Sequence, residues 1–299
     1  MKRLLSCLLA LALITGCAGG GTTSTPSAPD RPSDEVVVVM GPTSEPEAGF
    51  DPAFGWGAGE HVHEPLIQST LTVTNADLTI GYDLATDLSV SDDGLTWTVT
   101  IRDDVTFTDG EALTAEDVAF TYNTVKATSS VNDFTMLASA EAVDDTTVVF
   151  HMTTPYSIWP YTMAIVGIVP AHAYDSATYG SAPIGSGRYT LVQWDRGEQI
   201  ILAGNPDYYG ESPKMKKVTI LFMEEDAAFL AVQAGQADLA YTSATYADQS
   251  PKGYSLLSCE SVDNRGVNLP TQGNPVTADL AVRRAINLGV DREEMIQNV

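Results

Sequence analysis

The chain has 299 residues, long enough for two domains of ordinary size. Thirty-nine acidic against fifteen basic side chains give a formal charge of −24, which repels nucleic acid and excludes it as a partner. Apolar content is that of a globular protein, and no internal repeat of fixed period is present.

Lys2 and Arg3 precede an apolar run from Leu4 to Ile14, the pattern of an export signal. The run is too short to cross a bilayer, which takes about 20 residues. It ends at Ile14-Thr15-Gly16-Cys17, small residues before a cysteine. This resembles a bacterial lipobox, in which the cysteine thiol is diacylated and becomes the new N-terminus, so residues 1–17 are expected to be a lipoprotein signal with Cys17 as the anchor. Residues 18–33 are mostly Gly, Thr, Ser, Pro and Ala and are expected to form a flexible tether. Cys7 leaves with the signal and Cys259 stands alone, so neither a disulfide nor a cysteine-based metal site is expected.

Val36 to Val39 suits a buried strand and leads into a loop rich in Gly, Pro and aromatics. Spacing suggests a helix around Val62 to Gln68, with Pro65 in its early turns, then short strands at Leu71–Val73 and Leu78–Tyr82. Trp97, Val99 and Ile101 alternate with polar residues as in a strand with one buried face; Val105 and Phe107 continue the alternation before an Asp109-Gly110 turn. Thr114 is a good helix N-cap, Glu116 and Asp117 suit the first turn, and Val118, Tyr122 and Val125 form an apolar stripe. Thr146–His151 and Gln199–Leu202 read as strands, Val218, Ile220 and Phe222 alternate, and Ala227–Ala234 reads as a short helix. Ile165–Val169 is a solid apolar run ending at Pro170. Thr277 is expected to cap a helix bearing Val282, Ile286 and Gly289, and Asp291 to open the next one.

Residues 102–121, RDDVTFTDGEALTAEDVAFT, resemble a signature segment of the family 5 extracellular solute-binding proteins, the peptide- and nickel-binding subunits of ATP-binding-cassette importers. Further stretches resemble the family in order: Asp83–Val90 with Asp92-Asp93-Gly94, Pro183–Tyr189, Asn205–Gly210, Gln233–Asp238 and Val282–Asn287. Arg188 stands where the family has proline, which implies a less rigid turn. The resemblance implies an α/β, periplasmic-binding-protein-like, two-lobed (class II) fold with mixed sheets. It divides the chain into a discontinuous first lobe (34–68 and 184–262), an inserted α/β subdomain (69–183) and the start of a second lobe (263–299). Family members continue past Val299, so the second lobe is expected to be incomplete in a truncated or split member.

Catalytic motifs are missing from the sequence. Gly185-Ser186-Gly187 does not satisfy the nucleophile-elbow pattern, the Gly19–Gly21 run has no phosphate-loop lysine, and Ile67 stands where a zincin would need its second histidine. No enzyme activity and no cofactor are expected; a hydrolase using a carboxylate pair and a purely structural surface lipoprotein remain as readings from other classes. The implied function is extracytoplasmic capture of a short peptide for delivery to permease subunits, by a monomer held at the bacterial cell membrane through Cys17. The alternative within the family is nickel or another metal chelate.

Candidate ligand residues are Phe54 and Trp56 in the loop after the first strand, whose aromatics either line a pocket or pack on their own scaffold. His61 and His63 share a side if the segment is extended and could hold a metal or chelate; on a helix they would diverge. Phe134 and Met163 are implied by loose alignment with nickel-binding relatives, which carry arginine where Met163 falls. Trp97, Trp159 and Trp194 read as core rather than ligand platforms.

Overall fold

The computed structural model describes residues 31–54, 65–129, 133–243, 246, 248–249, 251, 253–258 and 266–297. Two sheets and a hairpin carry most of the regular structure. The five-stranded sheet runs in the order β11-β1-β10-β9-β8. It is built from β1 (Glu35–Met40), β8 (Tyr189–Asp195), β9 (Gln199–Gly204), β10 (Lys217–Phe222) and the short β11 (Leu239–Ala240). β1 pairs in parallel with both β10 and β11, whereas β10, β9 and β8 meander antiparallel, so the sheet is mixed. The first strand, from one end of the chain, is thus clamped between strands from beyond residue 216.

The second sheet, β4-β5-β7-β6, is wholly antiparallel and local in sequence: β4 (Ala85–Val90), β5 (Thr96–Ile101), β6 (Leu137–Ala142) and β7 (Thr147–Met152). The alternation expected of Trp97, Val99 and Ile101 is the burial pattern of β5, and Val148, Phe150 and Met152 repeat it on β7. β2 (Thr72–Thr74) and β3 (Ile80–Tyr82) form the separate hairpin.

Helix α1 (Ala115–Thr128) lies across β6 and β7 and buries Val118, Tyr122 and Val125 against them. Its start follows the expected capping chemistry: the Thr114 N–H donates to Asp117 Oδ2 at 2.9 Å. The other oxygen of Asp117 accepts from the Ala171 N–H at 2.8 Å, so one buried carboxylate caps the helix and holds a distant segment. Directly before Ala171 runs the apolar stretch noted in the sequence, Ile165–Val169, with Pro170 after it; residues 166–170 are all buried. The stretch belongs to no sheet. Its backbone groups are satisfied one at a time, with the Ile168 N–H on the Ser69 carbonyl (2.9 Å) and the Val169 N–H on the Thr121 hydroxyl (3.1 Å).

Between α1 and the sheet sits an aromatic core. Tyr122 lies 4.8 Å from Phe150 and 5.6 Å from Trp159 between ring centres, and Phe134 lies 5.9 Å from Trp159. Trp159 and Met163 belong to the short helix α2 (Trp159–Met163), and both are fully buried. Trp97 is also buried; Trp194 is half-buried and bonded to Glu45.

Three expectations need correction. Residues 65–68 are not helical, and residues 62–64 lie outside the described residues. The Leu66 and Ile67 carbonyls accept from Tyr189 and Gly187 (2.9 and 2.8 Å) instead of from a next helical turn. The turn at Arg188 is firmly held: Gly185 and Gly187 press so closely on this carbonyl pair that a Cβ on Gly185 would meet the Ile67 oxygen at 2.0 Å. Asn205, buried behind it, donates to the Gly187 carbonyl at 2.9 Å. Finally, Thr277 does not cap α4 (Leu280–Gly289). Asp279 does, accepting from the Ala281 N–H at 2.8 Å, while the Thr277 hydroxyl donates to the Pro270 carbonyl. The opening of α5 (Arg292–Gln297) is as expected, with the Glu294 N–H on Asp291 Oδ1. Helix α3 (Glu225–Gln233) packs Ala228, Ala231 and Val232 against the five-stranded sheet near β11.

Candidate functional site

β1 ends at Met40, and the chain then crosses the end of the five-stranded sheet in a loop over residues 41–54. The loop is tied at several points to strands and segments far away in sequence. Glu45 accepts from the Trp194 indole N–H at 2.7 Å and from the Gly197 N–H at 2.9 Å. Phe50 meets the Trp194 ring edge to face at 5.4 Å, and Arg196 covers that indole at 4.0 Å. Gly49, at a φ of +81°, touches the backbone of Gly180, where no side chain has room. The Phe50 N–H donates to the Gly180 carbonyl at 2.9 Å, and the Phe50 carbonyl accepts from the Gln68 amide at 2.8 Å.

The next turn is organised around Asp51, which is 2% exposed. Its Oδ1 accepts from the Ala53 N–H and its Oδ2 from the Tyr174 hydroxyl, both at 2.9 Å. Burial pushes the Asp51 carboxyl above its ordinary range, and these two donors act in the opposite direction. Burial and the neighbouring carboxylate push the Tyr174 hydroxyl up, so it stays a donor at neutral pH. Tyr174 in turn packs on Phe120 and Tyr179 at 5.5 and 5.4 Å. The Tyr179 hydroxyl donates to the Ile184 carbonyl at 2.7 Å, completing a buried polar scaffold beneath the loop.

A second network joins the two sheets. The Tyr209 hydroxyl donates to Asp83 Oδ1 at 2.6 Å, and the Arg102 guanidinium lies 4.7 Å from the Tyr209 ring centre while gripping Asp104 through two 2.8 Å bonds. Burial raises the Asp83 carboxyl; the Tyr209 bond and the charges of Arg188 and Arg102 pull it down.

Of the sequence candidates, Phe54 stands at the end of the described loop with 38% of its surface exposed, its N–H bonded to the Asp51 carbonyl at 3.1 Å. Trp56, His61, His63 and the lipidation candidate Cys17 lie outside the described residues. Phe134 and Met163 are corrected as ligand contacts. They are 5% and 0% exposed and packed in the aromatic core with Tyr122 and Trp159, which makes them core side chains. Asp51 and Tyr174 were missed by sequence reasoning. The Asp51-Pro52 pair after a strand signals a turn, but nothing in the sequence shows that residue 174 reaches it. Among the described residues no group of three or more His, Cys, Asp or Glu side chains could hold a metal, and no helix is long and apolar enough to cross a membrane.

Residues 79–299 match the family model described as bacterial extracellular solute-binding proteins, family 5 Middle. The chain belongs to that family. Protein XP55 of Streptomyces lividans is 33% identical across 88% of this chain and 49% of its own length. The oligopeptide-binding protein AppA of Bacillus subtilis is 27% identical across 99% of this chain and 58% of its own. NikZ of Campylobacter jejuni, solved in complex with Ni(L-His), superposes with a TM-score of 0.77 at 26% identity, covering 90% of this chain and 55% of that one. AppA solved with a nonapeptide gives 0.63 at 28% identity, covering 72% and 45%. The chain therefore spans about half the length of these family 5 relatives, and its mixed α/β architecture is that of their two-lobed fold.

Proposed function

We propose that this chain is the extracytoplasmic receptor of an ATP-binding-cassette importer, held at the membrane through a lipid on Cys17, and that it captures a short peptide without altering it. An open form binds the guest, hinge closure against a second lobe buries it, and the closed monomer docks on permease subunits whose ATPase supplies the energy. The observation carrying this reading is the similarity to the oligopeptide-binding AppA across nearly the whole chain. A guest recognised through its main chain leaves side chains free to vary. In this reading the surface around Phe54, with Trp56, His61 and His63 following in sequence, meets the ligand.

One observation favours a second reading within the family: the superposition on NikZ, whose guest is Ni(L-His). In that case His61 and His63 take part in holding the metal chelate, since imidazole is a good nickel ligand. Thermal-shift titration of the chain with synthetic peptides of two to nine residues, and separately with nickel plus L-histidine, separates the two. The peptide reading expects stabilisation by peptides that survives His61→Ala with His63→Ala. Stabilisation by nickel and histidine alone, lost in the double variant, contradicts it in favour of the metal.

A further inference from the structure

We infer that Asp51 is a positioning residue for ligand recognition: through its bonds to the Ala53 N–H and the Tyr174 hydroxyl it sets the turn that presents Phe54, without itself touching the ligand. The inference deepens the receptor reading above and rests on it.

Asp51 is a buried carboxylate with no basic partner among the described residues. Such a group is a liability for stability, because its charge has left water and, among the described residues, two neutral donors stand in for the lost hydration. An apolar residue of similar size would be the cheaper choice if packing were all that mattered. What the carboxylate adds is geometry. One oxygen closes the turn locally on Ala53, and the other reaches a hydroxyl 123 residues away in sequence. Half-buried Tyr174 packs between Phe120 and Tyr179, and Tyr179 is bonded to Ile184 and Gln68. The turn is thus tied both locally and to a packed aromatic cluster distant in sequence.

The large side chain this turn presents is Phe54. Asp51 and Ala53 point inward at 2% exposure each, while Phe54 is 38% exposed and its backbone N–H is bonded to the Asp51 carbonyl. An exposed aromatic on a fixed backbone is a recognition element whose ordering cost is met before binding. Stability given up beneath the turn and an aromatic held in solvent above it belong together when the turn serves binding.

The test uses the full chain and whichever peptide, or nickel with L-histidine, stabilises it most in the titration above, with affinity read by calorimetry. Phe54→Ala is expected to weaken binding about tenfold, and Asp51→Leu by a similar factor. The double variant is expected to be no weaker than Phe54→Ala alone, because Asp51 acts only through that ring. Asp51→Asn keeps an acceptor for Ala53 and a partner for Tyr174, so it should stay within about threefold of wild type. Tyr174→Phe, a milder change should Asp51→Leu fold poorly, should lose several-fold and likewise add nothing to Phe54→Ala. Additive losses, or wild-type affinity in Phe54→Ala, overturn the positioning role while leaving the receptor reading intact. No response to any probe overturns the receptor reading and this inference with it.

Discussion

Gly185→Ala probes the closest backbone approach at the junction of the two sheets. A methyl group there would sit 2.0 Å from the Ile67 carbonyl oxygen and 2.7 Å from its carbon, far inside van der Waals contact. Neither neighbour can yield as a side chain would, because the oxygen already accepts from the Gly187 N–H at 2.8 Å and the Gly185 carbonyl accepts from Thr108 at 2.9 Å. Relief requires moving backbone by more than 1 Å. Overpacking of this kind costs about 1–3 kcal/mol, and each backbone bond lost adds about 1 kcal/mol. The total is about 3–5 kcal/mol, a fall in melting temperature on the order of 10 °C. Urea denaturation with an unchanged slope measures it, with Gly266→Ala as control, since nothing lies near its added methyl. A loss below about 1 kcal/mol for Gly185→Ala, or an equal loss in the control, would refute the reasoning.

Asp117→Ala removes the acceptor for both Thr114 and Ala171, so it should destabilise by about 2–3 kcal/mol in denaturation and increase hydrogen exchange at Ile168, Val169 and Ala171. Asp51 and Asp83 both have raised carboxyl pKa values because burial disfavours their charged forms. A raised acid contributes stability that is full below its ordinary value of about 4 and is lost as pH rises through the folded value. Relative to wild type, Asp51→Asn with Asp83→Asn should therefore gain stability as pH rises from about 4; a flat or opposite difference contradicts the assignment. Cys17→Ser should release the protein from membranes on sedimentation, and unchanged co-sedimentation would rule out lipid anchoring.

Local patterning was legible in the sequence wherever a segment buries one face against a neighbour close in the chain. Trp97, Val99 and Ile101, and the stripe Val118, Tyr122 and Val125, are buried as their periods require. Residues 166–170 read only as apolar, because their backbone partners are a threonine side chain and a distant carbonyl that no periodicity encodes. The segment 65–68 misled for the same reason, its carbonyls being taken up by residues 187 and 189. Asp279 displaced Thr277 as cap by standing directly before the helix. Near the loop, Phe54 is 38% exposed, whereas Phe134 and Met163 are core side chains that alignment alone could not tell from cleft residues. Asp51 lies in a recognisable turn, but its reach to Tyr174 is a product of the fold.

The central claim is that this chain holds a small guest and returns it unchanged. Native mass spectrometry of the purified chain with a defined synthetic nonapeptide tests it directly. The account predicts a complex of one peptide per chain, with the released peptide at its starting mass after prolonged incubation. Cleaved or modified peptide, or no complex with peptide or with nickel and L-histidine, would contradict it.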